Sequence, residues 1–193
     1  MIKSMNKGLL LISGGFDSAV AGYIMQKQGM EVIALHYSYF PLTDNAPEEK
    51  SRKAAEKLKF KKLITINIAE ECQEIKKKCN HRFYFILTKR LMIKKAEEIA
   101  KKEGCDFIIT GESLGQVGSQ TLSNLKTITS ASKMTILRPL LAYDKQEILK
   151  LARNIGTYDI STGPEVCDML GPKNPLTKSD IADILNEESK LNK

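Results

Sequence analysis

The 193-residue sequence has no apolar run long enough to cross a membrane. Its first apolar stretch is short and leads into glycines and a patterned helix, so a signal peptide is not expected. Internal repeats and low-complexity tracts are also absent, and the length suits one domain with a single core. The four cysteines form no C-x-x-C pair. We therefore expect reduced thiols and a cytoplasmic protein without a membrane partner.

The formal net charge is +7, with lysine far commoner than arginine. A nucleotide, an RNA or an acidic surface would suit this charge as a partner. Lysines that simply solvate helix faces explain it equally well, because charge shows solubility as much as binding. Charge alone therefore selects no function.

Apolar runs alternate with amphipathic stretches along the whole chain. The runs predict strands at residues 8–12, 31–37, 63–68, 106–110 and 135–137. The amphipathic stretches predict helices at residues 17–28, 46–58, 70–77, 83–103, about 119–132, and 145–155. Such alternation is typical of an α/β fold with a central parallel sheet of about five strands and helices on both faces.

A glycine-rich turn follows the first predicted strand, where residues 13–18 read Ser-Gly-Gly-Phe-Asp-Ser. A helix that starts after such a turn leaves backbone N–H groups unpaired at its positive end, which favours an anion. The two glycines let a phosphate approach the backbone, the two serines add hydroxyl donors, and Asp17 could hold Mg²⁺. An ordinary turn that uses glycine and aspartate as capping residues is the alternative. The complete motif favours phosphate binding.

Polar residues also follow other predicted strands, at the sheet edge where ligands bind in open parallel sheets. Glu112 could bind Mg²⁺ or a ribose hydroxyl, and Gln116 and Gln120 would share a helix face and bind a base or phosphate. Arg138 can grip phosphate with its forked guanidinium. Lys145 opposes the dipole of a helix that Asp144 can cap, so an anion contact explains it better than a structural role. An exposed surface lysine is the alternative.

Several segments together resemble a known family. Residues 13–18 resemble the pyrophosphate-loop motif of the PP-loop ATPases, which include argininosuccinate, GMP and asparagine synthetases and tRNA thiolation enzymes. Residues 110–125 are more specific and closely resemble the catalytic domain of tRNA 4-thiouridine synthetase, also called the thiamine-biosynthesis sulfurtransferase. Residues 137–147 and 155–161 fit the same family, as does Cys167, although spacing alone favours a merely packed cysteine there.

The resemblance implies a Rossmann-like fold of the adenine nucleotide alpha hydrolase (PP-loop) type that uses ATP and Mg²⁺. It implies that ATP adenylates the carbonyl oxygen of a tRNA uridine and that a sulfur nucleophile then displaces AMP, leaving 4-thiouridine and pyrophosphate. Asp17 and Lys145 would be the essential activation residues, and Cys167 would handle sulfur. The residues expected to bind ATP or pyrophosphate are Ser13, Gly14, Gly15, Phe16, Asp17, Ser18, His36, Gly111, Glu112, Gln116, Gln120 and Arg138. Asp17 is the candidate magnesium ligand.

Residues 1–177 are expected to form the ATP-pyrophosphatase domain, and residues 178–193 a helical, partly flexible tail. Family members carry an N-terminal RNA-binding region with a THUMP module, and many add a C-terminal rhodanese domain. We therefore expect a stand-alone form that meets tRNA through a separate RNA-binding subunit and takes sulfur from a donor protein or sulfide. A homodimer is compatible with the sequence. Some relatives have a C-x-x-C pair where residues 85–90 lack cysteine, so no iron–sulfur cluster is expected.

A basic face could replace the missing RNA-binding module, although half of its positions could simply be solvated. It would comprise Lys76, Lys77, Lys78, Arg82, Lys89, Arg90, Lys94 and Lys95. Two other functions stay open: a PP-loop enzyme that adenylates a small molecule for sulfur or ammonia transfer, and a non-catalytic nucleotide-binding subunit.

Overall fold

A central five-stranded sheet organises the chain in the computed structural model, which describes residues 6–115, 120–163, 171–172 and 174–191. The strands are β1 (Lys7–Leu11), β2 (Glu31–Ser38), β3 (Lys62–Asn67), β4 (Phe107–Ile109) and β5 (Ile136–Leu137). All pairings are parallel, and the strand order is β3-β2-β1-β4-β5. The predicted α/β fold class is confirmed, with β1 at the centre of the sheet.

Helices connect and cover the strands. They are α1 (Phe16–Lys27), α2 (Ala46–Lys57), α3 (Ala69–Lys78), α4 (Tyr84–Lys102), α5 (Leu122–Thr129), α6 (Lys145–Asn154), α7 (Tyr158–Ser161) and α8 (Ile181–Ser189). A short 3₁₀ turn, His81–Phe83, precedes α4. Within the described ranges, none of these helices combines the length and apolar character that a bilayer crossing needs. The four residues of α7 are too few to show a helical period, which is why the sequence pattern missed it.

The sheet separates two hydrophobic cores. Adjacent strand residues point to opposite faces, so Leu9 belongs to one core and Leu10 to the other. The Leu10 core contains Val20 of α1, Ala54 of α2 and Ile148 of α6. The Leu9 core contains buried residues of α3, α4, α5 and α8, namely Ile75, Leu87, Ile128 and Ile184. Helices therefore cover both faces of the sheet, as predicted.

The strand order reverses beside β1, because β2 and β3 lie on one side of it and β4 and β5 on the other. At such a switch point the connections leave the sheet in opposite directions and open a crevice at the carboxyl ends of the strands. The turn after β1 and the segment after β4 lie at this crevice. This is where the sequence placed the candidate site.

Helix α5 corrects one prediction. It begins at Leu122, two residues after Gln120, because the hydroxyl of its N-cap Thr121 accepts a hydrogen bond from the Asn124 amide. The prediction that Gln120 lies on a helix is therefore wrong. Gln116, which was expected to share that helix face, lies outside the described residues.

The C-terminal tail packs against the domain. Ile184 of α8 is fully buried. The Glu188 carboxylate forms ion pairs with two residues of α4, Arg90 (Nε at 2.8 Å) and Lys94 (Nζ at 2.9 Å). Glu187 Oε2 accepts the Asn80 amide at 2.8 Å. Residues 181–189 of this segment form α8, and charged side chains of α4 contact it. The division of the chain at residue 177 stays a prediction.

The described cysteines are Cys72, Cys79 and Cys105, and all three are free, buried thiols. Burial raises the pKa of Cys72 to about 11 and raises the pKa values of the other two thiols as well. Thiols held in this protonated state are poor nucleophiles. Cys167 lies outside the described residues.

Candidate functional site

The turn after β1, residues 13–18, is held in shape by its own serines, and we call it the glycine loop. The Ser13 amide donates to Ser18 Oγ at 3.2 Å, and the Gly15 amide donates to Ser13 Oγ at 3.3 Å. Ser18 Oγ in turn donates to the Gly15 carbonyl at 3.2 Å. Gly15 is the N-cap of α1, and no described side chain caps this helix end. The first-turn N–H groups are thus left to solvent or to an anionic ligand.

Two glycines allow neighbouring segments to approach the glycine loop. Gly14 has a φ of +81°, and a Cβ there would lie 2.7 Å from the Pro47 carbonyl oxygen at the start of α2. A Cβ on Gly111 would lie 2.7 Å from both the carbonyl carbon of Asp17 and the amide of Ser18. Side chains at either position would force the backbones apart. The structure therefore places Gly14 and Gly111, both predicted to bind nucleotide, at the packed walls of the loop.

Asp17 and Lys145 meet across the crevice although 128 positions separate them. Lys145 Nζ lies 3.1 Å from Asp17 Oδ1 and 3.4 Å from Oδ2. Lys145 is the first residue of α6, which Asp144 caps as predicted, in a capping box with Glu147. A cation at a helix N-terminus is unfavourable by itself, and the Asp17 carboxylate supplies the compensating negative charge. The two residues predicted to activate the substrate are therefore neighbours.

Glu112 is the centre of a buried ionic network. Its Oε1 accepts from Lys89 Nζ at 3.0 Å, and its Oε2 accepts from Arg138 Nε at 2.8 Å and from Thr110 Oγ1 at 3.1 Å. Arg138 Nη2 also donates to Thr129 Oγ1 at 3.0 Å. Burial opposes ionisation of Glu112, but the two cations outweigh it and lower the pKa of this carboxyl. The structure thus gives Glu112 and Arg138 protein partners, and their contacts with a metal or phosphate stay predictions.

The Glu112 network predicts a specific acid sensitivity. The pKa of Glu112 in the folded state lies below its ordinary value of 4.5. Its ion pairs therefore stabilise the fold fully at pH values above 4.5. They are lost as the pH falls through the lowered, folded-state pKa. The difference in unfolding free energy between the wild type and Glu112→Gln should therefore shrink from about pH 6 to about pH 3. Urea denaturation across this range, with the exposed Glu56→Gln as control, measures it. A difference that is constant with pH would contradict the assignment.

His36 and Gln120 form hydrogen bonds with the segments that make up the site. His36 is 3 % exposed, and its Nδ1 lies 3.0 Å from both the Ile12 carbonyl oxygen and Ser51 Oγ. Burial lowers the pKa of His36, although its bond to Ile12 acts in the opposite direction. The Gln120 side chain accepts the Ser113 amide at 3.1 Å. These contacts fix the segments after β1 and β4, and direct nucleotide contacts by His36 and Gln120 remain predictions.

The predicted basic face is largely neutralised within the described chain. Arg90 is 2 % exposed, so its prediction as a surface residue is wrong. It lies on the same side of α4 as Ile86 and Ile93, a spacing that could have placed it in the core. Ion pairs with glutamates engage Lys78, Lys89, Lys94 and Lys95.

Sequence reasoning also missed two residues of the site. Lys89 was assigned to the basic face, whereas its ammonium is a partner of Glu112. Tyr158 lies in the segment 155–161 that carried part of the family resemblance, and its ring packs on Phe16 of the glycine loop with centroids 5.2 Å apart. Both contacts join segments distant in sequence, so no local pattern could predict them. Only the resemblance of segment 155–161 to the family indicated that Tyr158 belongs near the site.

A magnesium ion fits the site only together with a ligand. Among the described residues, no group of three or more histidine, cysteine, aspartate or glutamate side chains could hold a metal ion. Mg²⁺ in nucleotide sites is commonly bound by one or two carboxylates together with substrate phosphates. Asp17, with a side chain 29 % exposed at the glycine loop, suits an ion that arrives with the nucleotide.

The chain is similar to known proteins over nearly its whole length. The family model for thiamine biosynthesis protein (ThiI) matches residues 3–193. A probable tRNA sulfurtransferase of Finegoldia magna is 41 % identical over 98 % of this chain and 50 % of the relative. That of Moorella thermoacetica is 42 % identical over 96 % and 49 %. A crystal structure of a 4-thiouridine synthetase–RNA complex with bound ATP superimposes with a TM-score of 0.92 at 35 % identity, covering 97 % of this chain and 50 % of that one. The chain thus spans about half the length of these relatives.

Proposed function

Because the chain belongs to the ThiI family of thiamine biosynthesis proteins, we propose that it forms the catalytic domain of an ATP-dependent tRNA sulfurtransferase. The observation that carries this proposal is the Asp17–Lys145 pair beside the glycine loop, at a helix end that no described side chain caps. Its support is the similarity to a synthetase solved with RNA and ATP.

The proposed first step is adenylation of a tRNA uridine. The glycine loop binds the phosphates through the amides at the start of α1, and Lys145 adds a positive charge beside them. The uracil carbonyl oxygen attacks the α-phosphorus, and the bond to the leaving pyrophosphate breaks. Asp17 would hold Mg²⁺, which neutralises phosphate charge when bound. An adenylate is a much better leaving group than an amide oxygen, which is why ATP is needed.

The proposed second step introduces sulfur. A sulfur nucleophile attacks the activated ring carbon, and the bond to the AMP oxygen breaks, so that AMP leaves and the sulfur is bonded to the ring. We assign Cys167 to sulfur handling, as the resemblance implies, in one of two roles. As the acceptor of a persulfide, its thiolate takes the outer sulfur of a donor persulfide and releases the donor thiol; that sulfur attacks the ring carbon, and the donor thiol then attacks the Cys167 sulfur, breaks the S–S bond, forms a disulfide and frees 4-thiouridine. As the attacking thiol, it attacks the inner sulfur of the adduct that a donor persulfide forms with the ring carbon, so that 4-thiouridine leaves and Cys167 forms a disulfide with the donor. The three described cysteines are buried and protonated, so they are unsuited to this role. Sulfur would come from a donor protein that carries a persulfide, or from sulfide, which would attack the ring carbon directly and displace AMP.

Nucleosides from bulk tRNA provide the test. Deleting the gene should remove 4-thiouridine from tRNA, as measured by mass spectrometry, and the wild-type gene should restore it. The Cys167→Ser gene should not restore it, although the purified variant should still bind ATP with unchanged affinity. Cys105→Ser, at a buried thiol, is the matched control and should restore the nucleoside. Unchanged 4-thiouridine in the deletion strain would contradict tRNA as the acceptor.

A second candidate is sulfur or ammonia transfer to an adenylated small molecule. The family description as a thiamine biosynthesis protein favours it. The same deletion strain separates the two candidates, because loss of small-molecule transfer would create a requirement for thiamine while leaving 4-thiouridine in place.

A further inference from the structure

A continuous row of stacked side chains leads from the protein surface to the Asp17–Lys145 pair. The guanidinium carbon of Arg153 lies 4.4 Å from the ring centroid of Tyr158, and the Tyr158 ring lies 5.2 Å from the Phe16 ring. Lys145 Nζ lies 5.7 Å from the Phe16 centroid. These distances are in the range of cation–π and aromatic contacts. The ammonium of Lys145 therefore has two kinds of partner, a carboxylate and a ring.

If the site binds ATP as proposed above, the nucleotide affects the two partners of Lys145, Asp17 and Phe16, in different ways. The Asp17 carboxylate and the phosphates compete for the same ammonium, so the ion pair must loosen as Lys145 turns toward the phosphates. The Phe16 ring does not compete with the phosphates for Lys145 in this way, because the ring bears no formal charge. Phe16 can thus keep Lys145 close to the glycine loop while its ionic partner changes.

Phe16 needs support of its own to do this. It is the first residue of α1, and the ring it packs on is Tyr158, the first residue of α7. Tyr158 is fixed in turn, because Arg153 lies over its ring. We propose that Tyr158 is a positioning residue that acts through Phe16 to hold Lys145 at the phosphates. This gives a role to the segment 155–161, which the proposed chemistry does not otherwise use.

Coupling between Tyr158 and Lys145 in ATP binding tests the proposal. Calorimetry on the full chain should show ATP affinity about fivefold weaker in Tyr158→Ala, the size of one cation–π contact. Tyr158→Phe keeps the ring and should stay within about twofold of the wild type. In a Lys145→Ala background, where ligand-observed NMR can follow weaker binding, Tyr158→Ala should cause no further loss, because its effect passes through Lys145. Tyr158→Leu, which fills the space without a ring, should behave as Tyr158→Ala and guards against a folding defect.

An equal loss of affinity in the wild-type and Lys145→Ala backgrounds would overturn the proposal, since Tyr158 would then act independently of Lys145. Unchanged affinity in both Tyr158→Ala and Tyr158→Leu would overturn it as well. These measurements need only ATP, so they are separate from the tRNA test: a strain that keeps its 4-thiouridine would contradict the proposed acceptor without changing the coupling.

Discussion

Asp17→Asn should lower the rate of tRNA-dependent pyrophosphate release by about 10²–10³-fold, the size expected for removal of one preorganised electrostatic group from an active site. The amide keeps the shape of the side chain but loses the charge that faces Lys145 Nζ at 3.1 Å. It is also a much weaker ligand for Mg²⁺ than a carboxylate. The release of pyrophosphate, measured with ATP and tRNA in excess, reports this loss directly.

The matched control is Asp159→Asn, which removes an exposed carboxylate from α7 and should leave the rate within about twofold. Both variants carry the same change in net charge, so a general effect of charge on RNA binding would change both rates equally. A rate for Asp17→Asn that is similar to that of the control would contradict the role assigned to Asp17. Thermal unfolding of both proteins checks that the difference is not one of folding.

Arg90→Ala should lower the free energy of unfolding by about 3–5 kcal/mol, the usual cost of removing one partner of a buried ion pair. Arg90 donates to both carboxylate oxygens of Glu188 and, through Nη1, to the Thr127 carbonyl and the Ser130 hydroxyl. Its removal leaves a buried carbonyl without this donor and removes the Arg90 contacts that join α4 to α8. Urea denaturation followed by circular dichroism measures the change.

Lys94→Ala is the matched control for Arg90→Ala, because Lys94 pairs with the same Glu188 carboxylate. The Lys94 side chain is 46 % exposed, against 3 % for Arg90, so its removal should cost less than about 1 kcal/mol. Equal costs for the two variants would show that burial is not what makes the Arg90 contacts strong. If Arg90→Ala lowers the free energy of unfolding by less than about 1 kcal/mol, the claim that α8 contributes to the stability of the fold through Arg90 is contradicted.

The sequence was informative where the signal is local. The apolar run before Ser13 and the glycines after it predict a buried strand followed by a turn, and β1 with the glycine loop confirms this. The Asp144 cap of α6 is equally local and was also predicted. The meeting of Asp17 and Lys145 needed one further premise, namely that the carboxyl ends of parallel strands share one edge of the sheet.

Contacts between segments distant in sequence could not be predicted in the same way. Glu112 was predicted to bind a metal or ribose. Its actual partners are Lys89 on α4 and Arg138 after β5, and no sequence pattern indicates that these residues meet. Arg90 illustrates a second cause: a charged residue in a lysine-rich helix suggests the surface, but Glu188 from the far end of the chain balances its charge in the core. Tertiary pairing decided both cases, and local propensity did not.

A crystal structure of the chain with a non-hydrolysable ATP analogue tests the central claim most directly. We expect the terminal phosphates within hydrogen-bond distance of the amides at the start of α1, with Lys145 Nζ moved from Asp17 toward a phosphate oxygen. A nucleotide bound away from residues 13–18, with the Asp17–Lys145 pair intact, would contradict the account.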